Sequence, residues 1–154
     1  MTCYFAYGSN ISRALMRRRC PGAKAIGTAA LPGCRFVITT DGYASIVPNR
    51  GGKVHGVLWR LTPRDVAALN VYESLDSGLY CKMTLPVRMS GRRIAALIYV
   101  ARSRAVGRPK SGYLDVVLEA AREWGMPENY VKSLARWSAT RWRAARAAES
   151  GELG

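Results

Sequence analysis

Apolar and polar residues change their rhythm along the chain, and the changes mark its elements. Residues 2–7 are rich in aromatics and stop at Gly8-Ser9-Asn10, the pattern of a strand entering a tight turn. Asn10 or Ser12 then caps a short helix over Arg13–Arg19, which Cys20-Pro21-Gly22 ends. Residues 34–40 and 43–47 read as strands joined at Asp41-Gly42, a hairpin signature. Residues 54–61 alternate, with His55, Val57, Trp59 and Leu61 on one face. Thr62, Pro63 and Asp65 then supply an N-cap, a first-turn proline and a capping-box acid for a helix running through Val66 and Leu69 towards Tyr72. A second hairpin, residues 79–89 and 92–102, folds about Ser90-Gly91. Beyond it the period becomes helical: Tyr113, Leu114, Val117, Leu118, Ala121 and Trp124 form one stripe that Gly125 stops. Tyr130, Val131, Leu134 and Trp137 form another after Pro127.

Strands first with short helices inserted, then helices alone, predict an α+β domain or a small mixed barrel. No repeat or Pro/Ser-rich linker divides the chain. Residues 1–137 therefore read as one domain, and 138–154 as a basic tail, helical and then frayed. The 154 residues suffice for one hydrophobic core without disulfides or a structural metal. The longest apolar run, residues 94–101, is far shorter than the roughly 20 residues that span a bilayer. The start of the chain has neither a basic n-region nor a long apolar segment, so a cytoplasmic location is expected.

Charge complicates this picture. Lys and Arg number 24 against 10 acids, for a net +14. Acid-free basic clusters occupy residues 13–24, 88–110 and 132–146, and the last interleaves Arg136-Trp137 with Arg141-Trp142-Arg143. Such a surplus fits nucleic acid, an anionic membrane surface or acidic metabolites, and equally a solvated helix face whose tryptophans pack on the domain. Nucleic acid is a possible partner but not the favoured one.

The four cysteines lack metal-ligand spacing and read as reduced thiols, mostly in the core; no metal site is expected. The single histidine, His55, lies mid-strand, a poor place for the base of a nucleophilic triad. There is no phosphate-binding glycine motif. Two places carry candidate chemistry. Tyr7-Gly8-Ser9-Asn10 forms a turn in which glycine permits positive φ and close backbone approach, and in which consecutive N–H groups can hold an anion. Glu73 lies between a helix and a glycine turn, flanked by Tyr72 and Tyr80. A carboxyl desolvated by aromatics gains a raised pKa suited to proton transfer; an exposed loop acid is the plain alternative.

Together these landmarks resemble the γ-glutamylcyclotransferase-like (AIG2-like) family. Tyr4-Phe5-Ala6-Tyr7-Gly8-Ser9-Asn10 is similar to its N-terminal signature, and Val54-His55-Gly56-Val57-Leu58-Trp59 to its central strand. Residues 69–80 resemble its catalytic-acid segment, Ala96-Leu97-Ile98-Tyr99-Val100 a later strand, and residues 109–134 its closing helices. The resemblance implies a small mixed β-barrel with flanking helices, a monomer or homodimer. It implies an enzyme that cyclises a γ-glutamyl amide to 5-oxoproline and releases an amine or amino acid, without metal or cofactor. By the same resemblance Glu73 is the general acid/base, and Tyr7, Gly8, Ser9 and Asn10 hold an anionic part of the substrate. Tyr80 and Tyr99 line the pocket and hydrogen-bond the substrate or Glu73. Ser74 and Lys82 depart from the family's usual glycine and arginine. Two other readings use the same fold: a binding protein for nucleic acid or another anionic partner, and a cyclotransferase acting on a carrier-bound γ-glutamyl intermediate.

Overall fold

The computed structural model describes residues 1–73 and 78–138. Its strands are β1 (Thr2–Ala6), β2 (Lys24–Ile38), β3 (Ala44–Leu61), β4 (Tyr80–Met89) and β5 (Arg92–Ala101). Its helices are α1 (Arg13–Arg19), α2 (Pro63–Tyr72), α3 (Tyr113–Glu123) and α4 (Glu128–Ala135), with a 3-10 turn at Ser9–Ile11. The strands close into a barrel in the order β1-β3-β2-β4-β5. All neighbours pair antiparallel except β1 and β5, which close the barrel in parallel through Tyr4 and Leu97. Closure gives every strand two neighbours, although β2 meets β4 only at Ala30↔Arg88 and β1 meets β5 only at Tyr4↔Leu97.

The predicted helix signals act as expected. Ser12, not Asn10, caps α1, its hydroxyl accepting the Leu15 N–H at 3.3 Å. Thr62 and Asp65 form a reciprocal capping box at the start of α2. Gly125 adopts φ +69° just past α3.

The strands are longer than the alternation suggested. The two runs expected at 43–47 and 54–61 are a single strand, β3, paired with β2 from Lys24↔Arg60 to Ile38↔Ala44. Register shifts at Ala25/Gly27 and Pro32/Cys34 interrupt the ladder beside Gly27 and Gly33 without ending either strand. Nor is β3 buried on one face only. Val54, Val57, Leu58 and Leu61 are all fully buried. Phe5 lies over Gly56, while Trp59 and His55 meet Trp124 and Tyr130 of the helical layer edge to face. The cysteines need a correction as well. All four are free thiols, yet only Cys20 is buried; Cys3, Cys34 and Cys81 are half-buried. No helix among the described residues is long and apolar enough to cross a membrane. The expected basic tail, from residue 139 onward, lies outside the described residues.

Candidate active site

The turn after β1 is held from three sides. The Trp59 indole N–H donates to the Asn10 carbonyl at 3.0 Å, and that of Trp124 to the Ile11 carbonyl at 2.7 Å. Arg19, at the end of α1, donates to the Asn10 side-chain oxygen at 2.5 Å and to the Ser9 hydroxyl at 3.1 Å. The Asn10 amide in turn donates to the Tyr4 hydroxyl at 3.1 Å. Gly8 is required for proximity rather than for positive φ, since its φ is −102°. A β-carbon there would stand 2.6 Å from the Tyr113 hydroxyl.

Glu73 is the C-cap of α2, and its N–H bonds the Leu69 carbonyl. Burial pushes its carboxyl up to about 7, against the opposing pull of the Arg19 cation. That guanidinium also lies 4.0 Å from the centre of the Tyr72 ring, so Arg19 ties the turn after β1 to the end of α2.

Between these two features opens a cleft of about 370 Å³. Seven of the eight tyrosines line it: Tyr4, Tyr7, Tyr43, Tyr72, Tyr80, Tyr99 and Tyr113. All seven residues singled out from the sequence (Tyr7, Gly8, Ser9, Asn10, Glu73, Tyr80 and Tyr99) are on its wall. Two hydroxyls bond elsewhere than to Glu73: Tyr80 donates to the Ala44 carbonyl at 3.2 Å, and Tyr99 to the Asn70 side-chain oxygen at 2.7 Å. Burial, reinforced by the Glu73 charge, raises the pKa of Tyr80 and Tyr99, so both stay neutral phenols. Tyr7 is likewise raised, mainly by burial, and donates to the Tyr99 carbonyl at 2.5 Å.

Tyr113 is placed differently. Its oxygen accepts the backbone N–H of Ser9 at 3.3 Å and of Ala44 at 3.2 Å. With both lone pairs engaged, its own hydrogen is what it has left to offer a third partner in the cleft. Burial holds its pKa at about 12 although those two N–H bonds lower it. A desolvated base opposite a polarised donor can move a proton and stabilise a developing oxyanion.

The AIG2-like family model matches residues 53–134, more than half of the chain. The chain belongs to the AIG2-like family. It is 28% identical to a γ-glutamylcyclotransferase of Mus musculus, over 85% of this chain and 76% of that protein. Against a γ-glutamylcyclotransferase of Homo sapiens the identity is 26%, with the same coverage. A solved structure of a γ-glutamyl cyclotransferase superposes with a TM-score of 0.81 at 25% identity, over 86% of this chain and 85% of that one. The barrel with flanking helices is that fold, and the relationship makes this AIG2-like chain a cyclotransferase-type enzyme.

His55, the other titratable candidate of this AIG2-like chain, lies away from the cleft. Its ring meets Tyr130 with centroids 4.7 Å apart, and burial together with Lys53 lowers its pKa. Sequence reasoning passed over Arg19, Tyr113, Tyr4 and Lys110. Arg19 had a readable signal, standing one turn beyond the buried Met16 on the inward side of α1. Tyr113 had none, because Ser9 and Tyr113 are 104 residues apart.

Proposed function

We propose that the protein cyclises a γ-glutamyl amide to 5-oxoproline and releases the amine, with Glu73 as the shuttling acid/base. The observation that carries this is the carboxyl of Glu73 on the wall of a tyrosine-lined cleft, its pKa raised by burial to about 7. In its ionised form Glu73 takes a proton from the substrate's α-ammonium. The freed amine attacks the γ-carbonyl carbon, forming the ring C–N bond and a tetrahedral oxyanion. Collapse breaks the original amide C–N bond as Glu73 returns that proton to the departing nitrogen. The ring nitrogen then gives up its second proton through Glu73 to the released amine, which leaves as an ammonium. Atoms and protons balance with no water or cofactor consumed. Five-membered closure is already favoured by proximity, so the protein's part is to hold the chain folded and to time the proton.

The hydroxyl of Tyr113 is the donor we assign to the oxyanion. The turn of Tyr7, Gly8, Ser9 and Asn10, braced by Arg19, holds the anionic end of the γ-glutamyl group. Tyr80 and Tyr99 shape the wall beside Glu73. The γ-glutamyl substrate is supported by the names of the relatives at 28% and 26% identity. The four free cysteines agree with a reducing compartment, and we place the reaction in the cytoplasm.

The test is a mass-spectrometric screen for 5-oxoproline from γ-glutamyl amino acids, γ-glutamyl amines and glutathione, with wild type and Glu73→Gln side by side. Turnover by wild type that collapses in the variant is the expected result. Full 5-oxoproline production by Glu73→Gln would refute the assignment.

A further inference from the structure

Among the described residues, three charged side chains line the cleft: Glu73, Asp41 and Lys110. Lys110 is the sole cation among them, and the reaction described above makes no use of it. Its setting is built rather than incidental. The Lys110 N–H donates to the Gly42 carbonyl at 3.0 Å, and its own carbonyl accepts the Tyr113 N–H at 3.0 Å. The segment leading to it is strapped to the β2–β3 turn by a bridge between Thr39 and Val106 and by the Gly107 N–H on the Ile38 carbonyl at 2.9 Å. The aliphatic stem crosses Gly42 so closely that a β-carbon there would stand 2.4 Å from Lys110 Cγ. The ammonium ends 5.7 Å from the centre of the Tyr43 ring. Tyr43 packs edge to face on Tyr113, with centroids 5.3 Å apart. A continuous wall thus runs from the Ser9 N–H through Tyr113 and Tyr43 to Lys110.

Lys110, Asp41 and Tyr43 are exposed, whereas Tyr4, Tyr7, Ser9 and Asn10 are buried. The γ-glutamyl group is constant and becomes a compact ring, so it fits the buried end. The leaving part varies in size and must depart through the open rim. A γ-glutamyl amino acid carries two carboxylates, one on each side of the scissile amide. The turn after β1 serves the first, and a rim cation is what the second requires.

We propose that Lys110 is the specificity-determining residue on the leaving-group side of the cleft, its ammonium receiving the carboxylate of a γ-glutamyl amino acid or peptide. The subsite rests on the cyclotransferase reading and extends it to the side of the amide that reading leaves open. The Lys110 ammonium, at the open rim beside Tyr43, offers a carboxylate a charge-assisted bond that solvent weakens there.

The experiment compares γ-glutamyl-alanine with γ-glutamyl-alaninamide, which differ only in that carboxylate. Wild type is expected to favour the acid by about tenfold in kcat/KM, and the preference is expected to shrink as salt is raised. Lys110→Met keeps the stem over Gly42 and is expected to erase the preference, with the amide as internal reference in each variant. Lys110→Glu is expected to invert it. Equal turnover of both substrates by wild type would overturn the subsite while leaving the cyclotransferase standing. Equal losses on both substrates in Lys110→Met would also overturn it, because the lysine would then serve the γ-glutamyl group. A preference for a cationic leaving amine that Asp41→Asn abolishes would overturn it in favour of the aspartate. Silence on both substrates would sink the cyclotransferase reading and the subsite together.

Discussion

Helix α2 carries a carboxylate at each end, and the two have opposite fates. Asp65, in the first turn, is 2% exposed and fully engaged. It accepts the Thr62 N–H at 3.0 Å, the Thr62 hydroxyl at 2.8 Å and the Gly22 N–H at 3.2 Å. Its charge faces the positive end of the helix, and its work is to fix where α2 starts and how it docks on the loop after α1. Glu73 closes the same helix, at the end where backbone carbonyls gather and a negative charge is unwelcome. Around it are tyrosines, and burial raises its pKa to about 7. Satisfying a carboxylate completely makes it structural. Desolvating one beside a cavity suits it to the proton transfer proposed for Glu73, at a cost in stability that the rest of the barrel must offset.

The contrast can be broken most sharply at Glu73. Glu73→Gln is expected to lower kcat by about 10³-fold, the scale of a lost general acid/base. The same change is expected to stabilise the fold at pH 8. Glu73 binds its proton more tightly folded than unfolded, so stability is greatest below the ordinary value of 4.5 and falls as pH rises through about 7. Removing the charge should return on the order of 1–3 kcal/mol at pH 8 and little at pH 4, measured by denaturant midpoints. A variant that is inactive and destabilised at both pH values would mean that Glu73 is structural like Asp65.

Gly8→Ala attacks the other wall of the cleft. Its new methyl group must displace the Tyr113 hydroxyl, and a loss of about 10²-fold in kcat/KM is expected, with a smaller loss in melting temperature. Asp65→Ala should do the reverse. Leaving Thr62 and Gly22 without their acceptor is expected to cost about 2 kcal/mol of stability. Activity of the folded enzyme should stay within about twofold. The smallest effect belongs to Arg19. Arg19→Met removes the cation that pulls Glu73 down, so the pH at which activity is half-maximal should rise above that of wild type, and Arg19→Lys should recover part of the shift. A rate loss with an unchanged pH midpoint would reduce Arg19 to a brace for Ser9 and Asn10.

Local signals in the sequence located the parts of this site that lie on short segments. The aromatic run into Gly8, the capping box at Thr62 and Asp65, and Glu73 among aromatics are all patterns that neighbouring residues create. The fold class followed from the switch between periods. What stayed hidden depends on contacts across the barrel: Tyr113 to Ser9 and Ala44, Arg19 to Asn10 and Tyr72, Lys110 to Gly42. The first half of β2 was invisible because Gly27 and its alanines neither alternate nor favour strands, and pairing with β3 overrides that weakness. Alternation misjudged β3 for a related reason, since a barrel strand under helices is covered on both faces.

The most direct test of Glu73 as the proton shuttle is the pH dependence of kcat/KM for 5-oxoproline formation. kcat/KM is expected to rise with pH with a midpoint of about 7, matching the raised carboxyl, on a limb that moves upward in Arg19→Met. A midpoint near the ordinary carboxyl value of 4.5, or the same limb persisting in Glu73→Gln, would contradict that role.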